Sequence, residues 1–277
     1  MEQFRAGCGH QFDPTRSRGF SVTYPSKTPE SRAGLHPPAG PASAGPLRAA
    51  IFDVDGVLLA SPHERAWREA LVGLADPARF TTAVYQAAVA GKPRMAGALA
   101  ALRAMGVTDA AKHVDAYAKR KQARLEELIA GGHVVAFPDA LRFVAAVAAL
   151  GWPMAVASSS KNANAMLQRI HLADGRNLLG VFKVNVCGRD LKHGKPDPEI
   201  FELAAKELHE MPEHCFVAED APAGIEAARA GGMAALGVAR LHDEAGLHSA
   251  HADIVVPSLD DIQLEALANG RLCRTTA

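Results

Sequence analysis

Aromatic residues are scarce in this chain, at 5% of 277 residues, and cysteine occurs only four times. The cysteines (Cys8, Cys187, Cys215 and Cys273) form no CxxC pair, which argues against a zinc ribbon. They are also too few and too scattered to hold a chain of this length together by disulfides. We therefore expect reduced thiols and a cytoplasmic protein.

An excess of charge of either sign is lacking too, because 30 basic residues balance 30 acidic ones. Binding to nucleic acid or to an anionic membrane surface ordinarily uses a basic face. The longest uncharged apolar stretch, residues 143–157, contains Gly151 and Pro153. It falls short of the ~20 residues that a membrane-spanning helix needs. We predict neither a nucleic-acid partner nor a membrane partner, and we expect a monomer.

The first 46 residues lack any convincing helical or strand period and are rich in Pro, Gly, Ser and Arg. No apolar core of a signal peptide precedes Ala49. We predict that residues 1–46 are a disordered extension. An organelle-targeting leader is the alternative interpretation.

The remainder predicts an α/β protein with a doubly wound, Rossmann-like parallel sheet. A buried strand within residues 47–57 ends in Asp-Gly, and four helical stretches without a strand signal follow (64–74, 81–90, 96–105 and 110–129). Beyond residue 137 strands alternate with helices, which indicates a parallel sheet covered on both faces, with one strand over 181–186 and a solvated loop over 242–252. We predict a core domain of residues 47–60 and 134–277, and a small inserted all-helical domain of residues 61–133.

Polar side chains follow the predicted strands, at the edge where such sheets bind ligands. They are Asp53 and Asp55 after the first strand, Ser158 after the second, Lys195 after the third, and Glu219 with Asp220 after the fourth. Carboxylates from separate loops repel one another unless a hard cation joins them, and oxygen ligands of this kind suit Mg²⁺. The sequence therefore predicts a magnesium site that shares a substrate phosphate.

These residue types fit phosphoryl transfer. Asp53 is the candidate nucleophile, and Asp55, two positions further on, is the candidate general acid and base. Ser158 and Lys195 would hold phosphate oxygens. Isolated turn carboxylates, or an acidic pair that complements a helix dipole, are the structural alternatives for these positions.

Four segments in order, IFDVDGV, AVASSSKNA, GKPDPEIF and AEDAPAGIEAARAGG, resemble the four motifs of the haloacid dehalogenase (HAD) superfamily. The resemblance covers about residues 48–257 and is strongest to its phosphatase and phosphomutase branch, in particular to the β-phosphoglucomutases. It implies a doubly wound core with a mobile helical cap. Dehalogenase members lack the second aspartate, so Asp55 argues for phosphoryl transfer.

The resemblance also implies roles for single residues. Asp53, Asp55, Glu219 and Asp220 would bind Mg²⁺, and the substrate would be a small phosphorylated sugar. The implied substrate-binding residues are His63, Arg94 and Lys121 in the cap, and Ser159, Ser160, Lys161 and Asn162 in the core. A second anion site of this kind is what a mutase needs and what a simple phosphatase does not need.

Three alternatives stay open. The stretch from Asp53 to His63 is about two residues shorter than in the β-phosphoglucomutases and Ala60 replaces an acid, which affects cap closure. Water that enters the site would make the enzyme a phosphatase. The basic residues Arg94 and Lys121 would serve equally as a solvated helix face, and His63 as a neighbour of a helix cap. A non-catalytic module would be indicated by loss of a catalytic residue, and none is lost.

Overall fold

A computed structural model describes residues 46–172, 174–240 and 244–275. The extension predicted for residues 1–46 lies outside these ranges apart from Pro46, which is exposed. In the part of the chain that is described, no helix is long and apolar enough to cross a membrane.

The strands are short. They are β1 (Ala49–Phe52), β2 (Leu59–Ala60), β3 (Val135–Ala136), β4 (Met154–Val156), β5 (Val184–Asn185), β6 (Cys215–Glu219), β7 (Ala234–Val238) and β8 (Ile254–Val256). Three of them, β1, β4 and β6, are buried along their whole length. All except β2 and β3 form one sheet of parallel strands in the order β5-β4-β1-β6-β7-β8. The strand order reverses direction at β1, and ligands bind at such a point in sheets of this type.

Helices cover both faces of the sheet and also form the inserted unit. The inserted helices are α1 (His63–Glu69), α2 (Thr82–Ala88), α3 (Arg94–Ala104) and α4 (Ala110–Ala130), and the others are α5 (Pro138–Ala149), α6 (Ala163–Gln168), α7 (Glu199–Leu208), α8 (Pro222–Ala230), α9 (Glu244–Ser249) and α10 (Leu264–Ala268). The predicted fold class, a doubly wound core with an inserted helical unit, is confirmed.

Alternation along β1 builds two cores. Ala50 and Phe52 face the layer of α5, α6 and α10, where the Phe52 ring makes edge contacts with Phe143 and Phe216. Ala49 and Ile51 face the opposite layer, formed by α7, α8 and α9. A strand that is apolar on both faces is fully buried, and for this reason its sequence is continuously hydrophobic.

The helical unit has an apolar core of its own, centred on Trp67, Leu102 and Tyr117. The Tyr117 hydroxyl donates a hydrogen bond to the Trp67 carbonyl oxygen at 2.9 Å, which ties α4 to α1. Where the chain leaves and re-enters the core, β2 and β3 pair as a two-stranded antiparallel ribbon. The helical unit is therefore attached to the core by two adjacent, paired segments, a double connection.

The sequence prediction differs from the structure at several element boundaries. Strand β5 is shorter than the predicted 181–186, because residues Leu178–Val181 form a 3₁₀ turn in which the Asn177 side chain caps Gly180. Helix α1 ends at Glu69, before the predicted residue 74, and the chain then turns through Gly73 with φ +80°. Helix α9 occupies part of the stretch expected to be a loop, since Leu247 is completely buried beside Gly237 of β7.

Candidate active site

The carboxyl edge of the parallel sheet brings the predicted strand-end residues together. Lys195 is the centre of the group: its Nζ donates to Asp53 Oδ1 and to Glu219 Oε1, each at 2.5 Å. The second Glu219 oxygen accepts from the Ala221 backbone N–H at 2.7 Å. All three charged side chains are almost fully buried. Each oxygen of Glu219 therefore accepts one hydrogen bond from the protein, one from Lys195 and one from the Ala221 backbone.

The pKa of Lys195 reflects this pairing. Burial alone would lower its pKa, but the charges of Asp53 and Glu219 outweigh burial and raise the pKa above its ordinary value. Lys195 is consequently a permanent cation beside the proposed nucleophile.

The pKa values of Asp53 and Asp220 are both raised, although Lys195 partly offsets the charge of Asp53. Burial is the largest cause that raises the pKa of Asp53 to about 7, and repulsion from Glu219 and Asp55 adds to it. The pKa of Asp220 is raised well above its ordinary value by burial and then by the charge of Glu219. A Cβ at Gly56, whose φ is +86°, would stand 1.9 Å from Asp220 Oδ2, so glycine leaves room for this carboxylate. Such a buried, mutually repelling set of oxygen ligands fits a hard divalent cation.

Asp55 is directed toward Ser158 and the helical unit. Ser158 Oγ lies 3.5 Å from Asp55 Oδ2, and His63 Nε2 lies 3.7 Å from Asp55 Oδ1. Within the described ranges Asp55 Oδ1 has no hydrogen-bond donor although it is buried. Ser158 Oγ in turn accepts from the Ser160 N–H at 3.1 Å. Asp53 and Asp55 thus have different partners, as a nucleophile and a proton carrier require.

A histidine–lysine pair from the helical unit lies above Asp55. Lys121 Nζ is 2.8 Å from His63 Nδ1 and 4.7 Å from the centre of the Trp67 ring, while His63 Nε2 is 3.2 Å from Ser160 Oγ. Burial lowers the pKa of His63 to about 4 and that of Lys121 to about 7. His63 is therefore neutral at pH 7, and Lys121 exchanges its proton near that pH.

A cavity of about 850 Å³ separates the helical unit from the core, and the carboxylates, Lys121 and Arg94 line it. Three contacts cross its rim. The side chains of Gln122 and Asn162 exchange hydrogen bonds at 2.9 and 3.1 Å, and Ser159 Oγ donates to the Gly91 carbonyl at 3.4 Å. Gly194 packs so closely on Pro93 that a Cβ there would lie 2.6 Å from the proline ring. The helical unit thus closes over the site.

All of the predicted substrate-binding residues line this cavity: His63, Arg94, Lys121, Ser159, Ser160, Lys161 and Asn162. Arg94 begins α3 directly after Pro93 and is half-buried. Lys161 is placed at the rim, where its exposed ammonium donates to Asp190 Oδ1 at 2.7 Å.

Two charged residues beside the site, Asp139 and Arg240, are not among the residues predicted from the sequence. Arg240 follows β7 at the same carboxyl edge, so the strand-end rule that found Lys195 applies to it as well. Asp139 follows Pro138 at the start of α5, where an acid is ordinary for a helix N-terminus. The two residues lie 101 positions apart in the chain, so no local sequence pattern indicates that their side chains form hydrogen bonds with each other.

Known proteins of one family are similar to this chain. A family model described as haloacid dehalogenase-like hydrolase matches residues 47–232. A β-phosphoglucomutase of Mycobacterium bovis is 33% identical over 78% of this chain and 91% of that protein. A fructose-1-phosphate phosphatase of Escherichia coli is 33% identical over 68% of this chain and 94% of that protein.

A solved structure is similar as well. The crystal structure of an archaeal β-phosphoglucomutase from Pyrococcus sp. strain ST 04 matches with a TM-score of 0.63 and 30% identity, over 80% of this chain and 99% of that one. Mutases and a phosphatase are therefore similar to this chain at comparable identity.

Proposed function

Since the chain belongs to the haloacid dehalogenase-like hydrolase family, we propose that it catalyses Mg²⁺-dependent phosphoryl transfer on a small sugar phosphate, as a mutase similar to β-phosphoglucomutase. The family resemblance inferred from the four motifs is confirmed, and the chain is an enzyme of the phosphomutase or phosphatase kind. The observation that carries the proposal is the cluster of Asp53, Asp220, Lys195 and Glu219 beneath a cavity lined by Arg94 and Lys121.

In the proposed first step, a carboxylate oxygen of Asp53 attacks the substrate phosphorus. The bond between phosphorus and the sugar oxygen breaks, and Asp55 gives its proton to that leaving oxygen. The products are an aspartyl phosphate and a free hydroxyl. In a mutase, Asp55 removes the proton from a hydroxyl of a sugar phosphate whose own phosphate is already bound at the distal site. That hydroxyl attacks the aspartyl phosphate, the bond between phosphorus and Asp53 breaks, and the products are a sugar bisphosphate and free Asp53.

The residues of the core have separate tasks in this scheme. Asp53, Asp55, Glu219 and Asp220 would hold the Mg²⁺ ion, and Glu219 also keeps Lys195 in place through their hydrogen bond. Bound Mg²⁺ would supply positive charge that keeps Asp53 and Asp220 ionised and offsets the charge of the phosphate. Ser158 and Lys195 offer donors to the phosphoryl oxygens.

The helical unit supplies the groups that distinguish a mutase. Arg94 presents a guanidinium to the cavity, and Lys121 and His63 present donors above Asp55. We propose that residues 61–133 are a mobile cap and that the contacts of Gln122 with Asn162 and of Gly194 with Pro93 form when it closes. Closure around a sugar whose distal phosphate binds Arg94 excludes water, so the phosphoryl group passes to a hydroxyl.

Sugar-phosphate hydrolysis is the second candidate. It is supported by the fructose-1-phosphate phosphatase relative, whose identity to this chain equals that of the mutase relative. Water then replaces the second hydroxyl as the group that attacks the aspartyl phosphate. We further propose that the enzyme works in the cytoplasm, where thiols such as the free Cys187, Cys215 and Cys273 stay reduced.

The experiment follows phosphate release and isomer formation in parallel. Purified protein with Mg²⁺ is incubated with anomers of hexose 1-phosphates and with fructose 1-phosphate, and products are identified by ³¹P NMR. Activity that persists in excess chelator would contradict the magnesium requirement, and no turnover of any phosphate ester would contradict the proposal as a whole.

Arg94→Ala separates the two candidates. The loss of a charge-assisted hydrogen bond to a distal phosphate costs about 1.5–3 kcal/mol, or roughly 10- to more than 100-fold. A mutase should lose isomerisation to that extent while it retains hydrolysis of a small ester that has no second anchor. Arg103→Ala at the exposed C-terminal end of the same helix is the matched control. Phosphate release without isomer, and equally small effects on all substrates, would establish the phosphatase instead.

A further inference from the structure

Arg240 makes an unusually complete set of contacts next to the active site. Its Nε donates to the Gly56 carbonyl at 3.0 Å, and its Nη2 donates to the Val57 carbonyl at 2.9 Å. Its Nη1 lies 3.1 and 2.9 Å from the two Asp139 oxygens. The guanidinium carbon lies 3.9 Å from the centre of the Phe137 ring. All three guanidinium nitrogens and one face of the group are therefore in contact with the protein.

Asp139 is held just as firmly from the other side. Besides Arg240, it accepts hydrogen bonds from the Ser258 hydroxyl at 3.0 Å and from the Leu259 N–H at 2.8 Å. The Arg240 and Asp139 side chains are only 12% and 9% exposed. Burial would raise the pKa of Asp139, but hydrogen bonds from Arg240, Leu259 and Ser258 keep it below its ordinary value. The pair is a fixed, charged anchor at the carboxyl edge of the sheet.

The two carbonyls that Arg240 binds belong to the turn that carries Asp55. This turn closes through backbone hydrogen bonds from Leu58 and Leu59 to the Val54 carbonyl. Gly56 within it has a positive φ of +86°, and its backbone N–H donates to the Leu59 carbonyl at 2.9 Å. Without Arg240, two neighbouring carbonyls would lose their donor directly after Asp55, and the turn would gain other orientations.

The anchor also lies beside the double connection to the helical unit. Phe137, which stacks on Arg240, follows β3, and its N–H donates to the Leu58 carbonyl at 3.0 Å. The turn is thus held between Arg240 and the segment through which the chain re-enters the sheet. The orientation of Asp55 would otherwise follow each movement of that segment.

We propose that Arg240, anchored by Asp139, is a positioning residue that keeps Asp55 aimed at the oxygen that leaves or attacks in phosphoryl transfer. This inference rests on the proposed function, because it concerns the same proton transfer. It predicts a specific deficit: the variant should fail to protonate a leaving oxygen, while the attack by Asp53 remains intact.

Leaving-group dependence tests this deficit. A sugar phosphate leaves as an alkoxide and needs a proton, whereas p-nitrophenyl phosphate releases a stable phenolate and does not. The quantity to compare is kcat/KM, which reports the first chemical step from free enzyme and substrate. In Arg240→Met we expect kcat/KM for the best sugar phosphate to fall about 10- to 100-fold, since small misplacement of a catalytic group has effects of this size. The value for p-nitrophenyl phosphate should stay within about threefold.

Two further enzymes complete the comparison. Arg229→Met is the matched control, because Arg229 forms a pair with both Asp253 oxygens at 2.8 Å and does not contact the turn. It should leave both substrates unchanged. The double variant of Asp55→Asn and Arg240→Met should be no slower than Asp55→Asn alone, because a residue that acts through Asp55 has nothing to position once that acid is gone.

The outcomes separate cleanly. The positioning role would be overturned if Arg240→Met lowered kcat/KM equally for both esters, or did not lower it for the sugar phosphate. It would also be overturned if the effects of Asp55→Asn and Arg240→Met on kcat/KM were additive in the double variant. If Arg240→Met does not fold, Arg240→Lys decides, since it keeps a cation facing Asp139 but lacks the fork that reaches both carbonyls, and it should show the same selective loss. A wild-type protein that turns over neither ester, by isomerisation or by hydrolysis, would overturn the proposed function and this inference with it.

Discussion

Replacing Asp53 with asparagine should abolish turnover and, in the absence of divalent cations, make the folded protein more stable above pH 7. An amide is not a competent nucleophile, so the loss of activity follows from the proposed chemistry. The gain in stability follows from the environment of the carboxylate. Asp53 is 6% exposed and shares its site with Glu219 and Asp220, so the folded state holds its negative charge at a cost.

The size of the effect comes from the pKa of Asp53. Burial, the largest cause, raises it from an ordinary 3.8 to about 7, even with Lys195 as a partner. A tenfold change in an ionisation constant is worth about 1.4 kcal/mol, so the difference corresponds to about 4 kcal/mol. Asparagine resembles the neutral acid and keeps an oxygen for Lys195. In a domain of this size a gain of 4 kcal/mol would raise Tm by roughly 8–16 °C.

The sign depends on pH in a defined way. Between pH 3.8 and about 7 the folded state binds a proton at Asp53 that the unfolded chain has released. The free energy of unfolding of the wild type therefore falls as the pH rises through this window. The free energy of unfolding of the asparagine variant does not fall in this way. The variant is therefore no more stable than the wild type near pH 3.8, and its advantage in free energy of unfolding grows across the window and reaches its full value above pH 7.

Urea unfolding of both proteins at pH 5.5, 7.0 and 8.5, with chelator present, measures this advantage. Asp115→Asn on the exposed face of α4 is the control and should show no such growth with pH. Added Mg²⁺ should stabilise the wild type more than the variant and so narrow the gap, because a ligand that binds only the folded state adds to its stability. An asparagine variant that is no more stable than the wild type at pH 8.5, or a gap that does not change with pH, would refute the reasoning.

Three further outcomes are expected. Asp55→Ala should lower turnover of a sugar phosphate about 10²- to 10⁴-fold, as for a lost general acid and base, and near-native steady-state rates would show that the proton passes elsewhere. Burial lowers the pKa of Lys121 from 10.5 to about 7, so between these pH values only the unfolded chain is protonated there and the free energy of unfolding of the wild type rises with pH. Lys121→Met should abolish this rise. Thermal melts in which Tm depends on pH in the same way for the wild type and the variant would contradict this. Gly56→Ala should both weaken Mg²⁺ activation and lower Tm, since a Cβ would overlap Asp220 Oδ2 at 1.9 Å and the φ of +86° suits glycine; a magnesium titration of activity with an unchanged midpoint would argue against it.

Much of the core was predictable because its signals are local. A strand buried on both faces is continuously apolar, so β1, β4 and β6 stand out in the sequence, and the polar residues that follow them can be identified directly. Parallel strands bring those residues to one edge, and the structure places Asp53, Lys195 and Glu219 in direct contact. Their chemical roles remain predictions until the variants are measured.

Boundaries and short elements were less predictable. Strands β2 and β3 have two residues each, and they pair across the whole helical unit. Two residues carry no readable period, so only the approach of distant segments makes them strands. Helix α9 likewise depends on Leu247, which packs on β7 and outweighs the Gly and polar residues around it.

The kind of fold and the chemical groups at the edge of the sheet can be read from local sequence, since apolar periodicity and the residues directly after buried strands are properties of neighbouring positions. How those groups are held depends on contacts between distant segments. The Arg240–Asp139 pair joins residues 101 positions apart, and Lys121 reaches His63 across 58 positions. Burial also decided the charge states, because the pKa values of Asp53, His63 and Lys121 depend on the protein that surrounds them. A linear pattern names the side chain, but its protonation and its aim depend on neighbours that the fold brings to it.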